Sequence, residues 1–338
     1  VKKLLLFFAL AGLGFAQRER IILDTDCAIF NDDGAAMAML LERPLQVDVI
    51  AVTLVPGNMW PMAGAEYMFR TLDAIKRPDV VLYAGAGAPL LHTPAMAEKE
   101  SKEWGEIFTG ALGEERPTKT KSSRRLSRRS AIDLMIEAIE KTPGEVTIVE
   151  IGPMTNLAIM LRLRPDLETK IKRLVFMGGG VHTTAEAENH RAAEFNFWFD
   201  PEAARIVLRS AIPEKIMIGL DLCSHARIDK AHYDEIISVK TPLTALYRED
   251  LKKTFAANPN ATVGIWDCLV AAYVLDPKWV TKREQAFLDV DTTFGKNYGA
   301  VIPLDKSLAP EATPVDVLLD LDFDKFFALY KELLTKAP

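Results

Sequence analysis

The chain has 338 residues, 49% of them apolar and 26% charged, with 41 basic side chains against 47 acidic ones and a formal net charge of −6. That length fits one large domain or two ordinary ones, and the composition belongs to a folded, enzyme-sized protein and not to a low-complexity chain. The acidic balance argues against nucleic acid as the main partner, and an odd count of three cysteines does not make a disulfide framework.

Residues 1–16, VKKLLLFFALAGLGFA, put two lysines before an apolar run that ends in Gly14-Phe15-Ala16. This is the pattern of a secretory signal cleaved before Gln17, and the run is short for a membrane span. The expectation is an exported protein, periplasmic or secreted, whose fold occupies 17–338 as one domain and makes no membrane contact once the signal is removed. Strand-length apolar runs follow at 21–23, 47–55, 80–83, 146–151, 174–177 and 216–222, with helical patterns at 35–41, 63–74, 131–141, 156–164 and 201–209 between them. Near-continuous apolar strands alternating with helices predict an α/β fold: an open, mostly parallel, Rossmann-like sheet with helices on both faces. Between the third strand and the next helix lies a long polar excursion. It joins an acidic amphipathic segment at 97–108 to a basic one at 117–130, which reads as a solvated loop.

In open α/β sheets, ligands bind outside the carboxyl ends of the strands. Here those ends carry Asp24-Thr25-Asp26, Pro56-Gly57-Asn58, Gly152-Pro153-Met154-Thr155-Asn156 and Gly178-Gly179-Gly180. Asp24, Asp26, Asp32 and Asp33 fall within ten positions. Two like charges about 4 Å apart repel by roughly 4 kcal/mol at an effective dielectric near 20, so such a group calls for a counter-charge. Hard cations such as Ca²⁺ or Mg²⁺ take oxygen ligands, and Asp26 with Asp33 can wrap one. The scattered histidines make no zinc cluster.

These motifs resemble the inosine–uridine nucleoside hydrolase family. The resemblance is carried by DTDCAIFNDD at 24–33, TLVPGN at 53–58, EIGPMTNLA at 150–158, VFMGGG at 175–180, AAEFNFWFDPEAA at 192–204 and WDCLVAAYVLDP at 266–277. It implies hydrolysis of the N-glycosidic bond of ribonucleosides to ribose and free base by a Ca²⁺-activated water. Position by position, it implies Asp26, Asp33, Asp267 and the backbone carbonyl of Ile151 as metal ligands, and Asp26 as general base. Asp32, Asn58, Asn189, Glu194 and Asn196 match residues that hold the ribose, and Met177 packs near the sugar. Asp24 would orient the ligands from behind. The resemblance also implies a small-molecule ribonucleoside as partner and a homo-oligomer, dimer or tetramer.

Two departures stand out. Cys27-Ala28 replaces the usual Pro-Gly or Ile-Gly, and Trp266 stands where many members have a histidine that protonates the leaving base. A Trp-Asp pair resembles the purine-preferring subgroup, in which an indole stacks on the base, so purine nucleosides are expected to be preferred. Trp104, in the excursion, is a weaker candidate for a second wall, and a Cys27–Cys268 bridge is conceivable. Two alternatives stay open. One is a non-catalytic exported nucleoside- or sugar-binding protein of the same fold. The other is a Mg²⁺-dependent phosphatase of the haloacid-dehalogenase type using Asp24 and Asp26, which leaves the PGN, EFN and WD motifs unexplained.

Overall fold

The structure is a computed structural model that describes residues 18–27, 30–117, 122–185 and 192–336. The leader expected at 1–16 and the candidate Asn189 lie outside the described residues. The strands that build the central sheet are β1 (Glu19–Thr25), β2 (Val47–Leu54), β3 (Leu82–Ala84), β4 (Val146–Glu150), β5 (Arg173–Met177), β6 (Lys215–Ile218), β7 (Val280–Ala286) and β8 (Val315–Leu321). Their order is β3-β2-β1-β4-β5-β6-β8-β7. All neighbours pair parallel except β8 and β7. The expected mostly parallel sheet is therefore present.

Side chains alternate across each strand, so a strand buried on both faces must be apolar at every position. In β1, Ile21 and Leu23 join the core on one face and Ile22 joins the core on the other. In β5, Val175 and Met177 face one way and Leu174 and Phe176 the other. The first face is covered by α1 (Ala35–Leu41), α2 (Pro61–Ala74), α8 (Asp267–Leu275) and α9 (Phe323–Thr335). The second is covered by α4 (Ala131–Lys141), α5 (Thr155–Leu163) and α7 (Pro201–Leu208). Two further helices matter below: α3 (Pro94–Trp104) in the excursion and the short α6 (Phe195–Phe199).

Several boundaries differ from expectation. The sixth strand stops at Ile218 because Gly219 turns the chain and Leu220–Cys223 forms one helical turn. The third begins at Leu82, the first residue that pairs with β2. The acidic segment is helical from Pro94, at N1, only to Trp104, where Gly105 with φ 111° ends it. The basic segment is less free than a solvated loop. Arg124 stacks on Phe69 and pairs with Asp73, Leu126 packs on the core, and the Ser127 amide donates to Leu82 O at 2.9 Å, covering the outer edge of β3. The opposite edge, β7, exposes Thr281, Lys282 and Arg283, and its pairing with β8 is broken by two register shifts.

Chain direction reverses across the sheet between β1 and β4, which opens a crevice at their carboxyl ends. Asn156, fully buried, staples that region. Its Nδ2 donates to Asp24 Oδ1 at 2.9 Å and to Leu54 O at 3.2 Å, and its Oδ1 accepts from the Ala86 amide at 2.7 Å. Asn156→Ala is expected to destabilise the fold by about 2–4 kcal/mol, because three buried groups lose partners. Urea unfolding followed by circular dichroism measures this, and a change under about 0.5 kcal/mol would show that the staple is not needed.

Candidate functional site

The acidic motif is shaped by hydrogen bonds among its own members. After β1 the chain turns at Cys27, held at φ 37°. Thr25 Oγ1 accepts from the Cys27 amide at 3.1 Å and donates to Asp33 Oδ1 at 2.7 Å. Asp32 and Asp33 lie in a single wide helical turn, Phe30–Gly34, that precedes α1. Asp32 Oδ1 accepts at 2.8 Å from the amide of Asp267, one of the free N–H groups at the start of α8. Asp26 is completely buried. Its two carboxylate oxygens accept from the Asn58 amide at 2.7 Å and from Asn58 Nδ2 at 3.2 Å. Gly57 allows this close approach, since a Cβ there would stand 2.1 Å from Asp26 Oδ2.

Burial pushes the carboxyls of Asp26, Asp32 and Asp267 well above the usual range, and the neighbouring aspartates, Asp33 among them, push them further. Burial likewise raises Asp24 to about 6, against the hydrogen bonds of Thr53 and Asn156.

A second group forms around the glycine run after β5. Glu194 caps α6. Its Oε1 accepts from the Asn196 amide at 2.8 Å, and its Oε2 accepts from the amides of Gly179 at 2.9 Å and Phe197 at 3.2 Å. Burial pushes Glu194 up to about 7, although these N–H donors oppose it. Asn196 Nδ2 is tied to Met177 O at 3.1 Å and Met177 Sδ at 3.3 Å, which turns its Oδ1 the other way.

These groups meet at a cleft of about 420 Å³ lined by Asp32, Asp33, Asn58, Ile151, Met177, Glu194, Asn196, Trp266 and Asp267, with Phe108 and Phe195. The fold thus brings together nine of the residues named from sequence. Asp26 sits behind Asn58, outside the lining. Trp104 is elsewhere, tilted against Phe294 at 6.0 Å. Cys27, Cys223 and Cys268 are free thiols, so the conceivable bridge is absent. Sequence reasoning missed two aromatics. Phe195 was legible, lying between Glu194 and Asn196. Phe108 carries no motif and is brought to the cleft only by the docking of the excursion. There the Ala111 amide donates to Gly57 O at 2.8 Å, and Gly110, at φ 52°, leaves room for Gly57 O and the Phe195 ring. The Phe108 and Phe195 rings are 5.2 Å apart. Trp266 shows one part of its indole to the cleft and buries Nε1 against Gly264.

A mostly parallel sheet with acidic and amide side chains gathered at its switch point is the α/β architecture in which ligands bind at strand ends. Comparison with known proteins gives the family. The model of the inosine-uridine preferring nucleoside hydrolases matches residues 21–328. The pyrimidine-specific ribonucleoside hydrolases RihA of Salmonella paratyphi B and Salmonella typhi are each 31% identical over 314 residues, covering 91% of this chain and 96% of theirs. A plant nucleoside hydrolase superposes with a TM-score of 0.76 at 24% identity over 94% of this chain and 99% of its own. A purine-preferring ribonucleoside hydrolase from Gardnerella vaginalis does so at 0.73 and 24%, over 94% and 98%. The chain belongs to the inosine-uridine preferring nucleoside hydrolase family, whose members hydrolyse N-glycosidic bonds of nucleosides.

The raised carboxyls predict a pH dependence. Asp24 and Asp200 at about 6 and Glu194 at about 7 hold protons more tightly folded than at their ordinary values of 3.8 and 4.5. Their contribution to stability is therefore full below about pH 4 and lost as pH rises through 6 to 7. Without divalent cation the protein should melt at lower temperature at pH 8 than at pH 5. Thermal melts at both values in the presence of chelator measure this; an equal midpoint, or a higher one at pH 8, would sink it.

Proposed function

We propose that this nucleoside hydrolase cleaves ribonucleosides with purines preferred, and that it uses a divalent cation, calcium by the hardness of its ligands, held by Asp26, Asp33, Asp267 and the carbonyl of Ile151. The observation that carries the reading is a cleft lined by both carboxylates and aromatic rings. Among the described residues no three His, Cys, Asp or Glu side chains stand in ligating geometry about one point. Support for the cation is therefore the chemistry of the donor set: oxygen ligands, buried, mutually repelling, beside a cleft that, among the described residues, no lysine, arginine or histidine lines. Bound there, the cation supplies a Lewis acid that makes water nucleophilic near neutral pH.

The protein's own residues do the rest. Asp26, with its basicity raised by burial and by Asp33, accepts the proton of the attacking water. Asn58 holds both Asp26 oxygens, which fixes the direction of that transfer. Asp32, Glu194 and Asn196 grip the ribose hydroxyls; Asn196 offers Oδ1 because Met177 has taken its N–H groups. The carboxylates also stabilise positive charge developing on the sugar. Trp266, Phe108 and Phe195 give the base flat apolar surfaces, and a bicyclic purine covers more of them than a pyrimidine does. Similarity to pyrimidine-specific relatives favours a second reading, with uridine or cytidine preferred. The leader pattern supports export to the periplasm or beyond, and the family resemblance supports a homo-oligomer. A nucleoside panel assayed with and without chelator tests the activity, the base preference and the cation together.

Ribosides should be cleaved and 2′-deoxyribosides should be poor substrates, because a site built to bond a hydroxyl leaves its own polar groups unpaired when that hydroxyl is missing. Equal kcat/KM for inosine and 2′-deoxyinosine would refute the ribose assignments of Asp32 and Asn196.

Trp266→Ala and Phe108→Ala should each lower kcat/KM for inosine by about tenfold, the equivalent of about 1.4 kcal/mol, and affect uridine less. A uniform loss across both bases assigns Trp266 to packing, and a wild type that favours uridine selects the pyrimidine reading.

A further inference from the structure

A cluster of polar side chains lies outside the cleft, where the chain leaves β3 and enters α3. The side chains of His92 and Glu100 are buried, at 0% and 1% exposure, with His92 Nε2 3.3 Å from Glu100 Oε1. His92 Nδ1 lies 3.1 Å from the carbonyl oxygen of Trp198. Trp198 Nε1 donates to Glu100 Oε2 at 2.6 Å. The edges of Trp198 and Tyr298 box the imidazole, with ring centres 4.6 and 5.2 Å away. The Tyr298 hydroxyl is turned away to Glu202.

Two hydrogen bonds and one close His92–Glu100 contact link the three residues in a circuit. A carbonyl oxygen has no hydrogen to give, so Nδ1 carries the one in its contact with Trp198. Nε2 then faces Glu100 Oε1 at 3.3 Å, within ion-pair distance. The circuit starts at the Trp198 indole, passes through Glu100 and His92, and returns to the Trp198 carbonyl.

Trp198 links this circuit to the cleft. It lies in α6, whose first residues, Phe195 and Asn196, line the cleft. A helix of five residues is too short to hold its shape alone, so its position is set by what packs on it. Glu194 caps one end of it, and the circuit grips the other.

We propose that His92, Glu100 and Trp198 form a positioning device for substrate binding, clamping α3 to α6 and so setting Phe195 and Asn196 against the nucleoside. This rests on the reading of the cleft as the nucleoside site. The residues the device sets, Phe195 and Asn196, are ones this reading assigns to holding base and ribose and not to activating water, so the effect falls on binding.

The test compares wild type, Glu100→Met and Glu100→Gln by steady-state kinetics and by amide hydrogen exchange. Glu100→Met keeps the length and loses both polar contacts. It should raise KM roughly tenfold, change kcat by less than about threefold, and speed exchange at the Trp198 amide. Glu100→Gln can still accept from Trp198 Nε1 and donate to His92 Nε2, and should restore both readouts. If Glu100→Met does not fold, Trp198→Phe, which deletes the indole N–H, carries the same expectation. A Gln variant as impaired as the Met variant, an unchanged KM and exchange rate in the Met variant, or a loss mainly in kcat would overturn the proposal. Exchange needs no substrate. A wild type that hydrolyses no nucleoside would defeat the hydrolase reading, while exchange alone would still decide the circuit.

Discussion

The carboxylates of Asp26, Asp33 and Asp267 are buried, with half-buried Asp32 within electrostatic reach of them, beside a cleft that, among the described residues, no cationic side chain lines. Much of the surrounding structure serves to keep them there. Thr25, Asn58 and the first amide of α8 each donate a hydrogen bond to one of these aspartates. Gly57 and Gly152 remove the side chains that would occupy the space, since a Cβ on Gly152 would stand 2.9 Å from the Asp26 amide. Asn156 ties β1, β2 and the loop after β3 beneath them. Such an arrangement is costly to the fold and useful to chemistry, which is the usual relation at a site where charge must be ready before substrate arrives.

The parts of the fold that follow from burial were readable in the sequence. Strands covered on both faces must be apolar throughout, so β1, β2, β4 and β5 appeared as continuous runs, and α1 and α4 began and ended where expected. Boundaries failed where apolar residues continue past the last ladder partner. Leu220 and Leu222 extend the run of β6, yet Gly219 bends the backbone and they pack as a helical turn. Val80 and Val81 precede β3 without pairing to β2.

The site was legible to a similar extent for a different reason. Residues that meet in the cleft through short local motifs, such as Asp32-Asp33 or Glu194–Asn196, were found through the family resemblance those motifs carry. Phe108 was not, because it arrives through a tertiary contact, Ala111 on Gly57, made by glycines and an alanine. Attention to the larger aromatic led to Trp104, which faces Phe294 instead. Trp266, next to Asp267 in the chain, gives the cleft apolar surface beside a carboxylate.

The two borders of the sheet also bear on how copies of the chain can meet. An unprotected edge strand is a template for another strand. Here one border is met by the basic segment, through Ser127 on Leu82, and the other presents Lys282 and Arg283. Both features disfavour continuing one sheet into the next and favour assembly through helical surfaces and loops. The β1–β4 crevice lies at the strand ends and not along either border, so whether it is open to solvent or roofed by a neighbour depends on which of those surfaces is used.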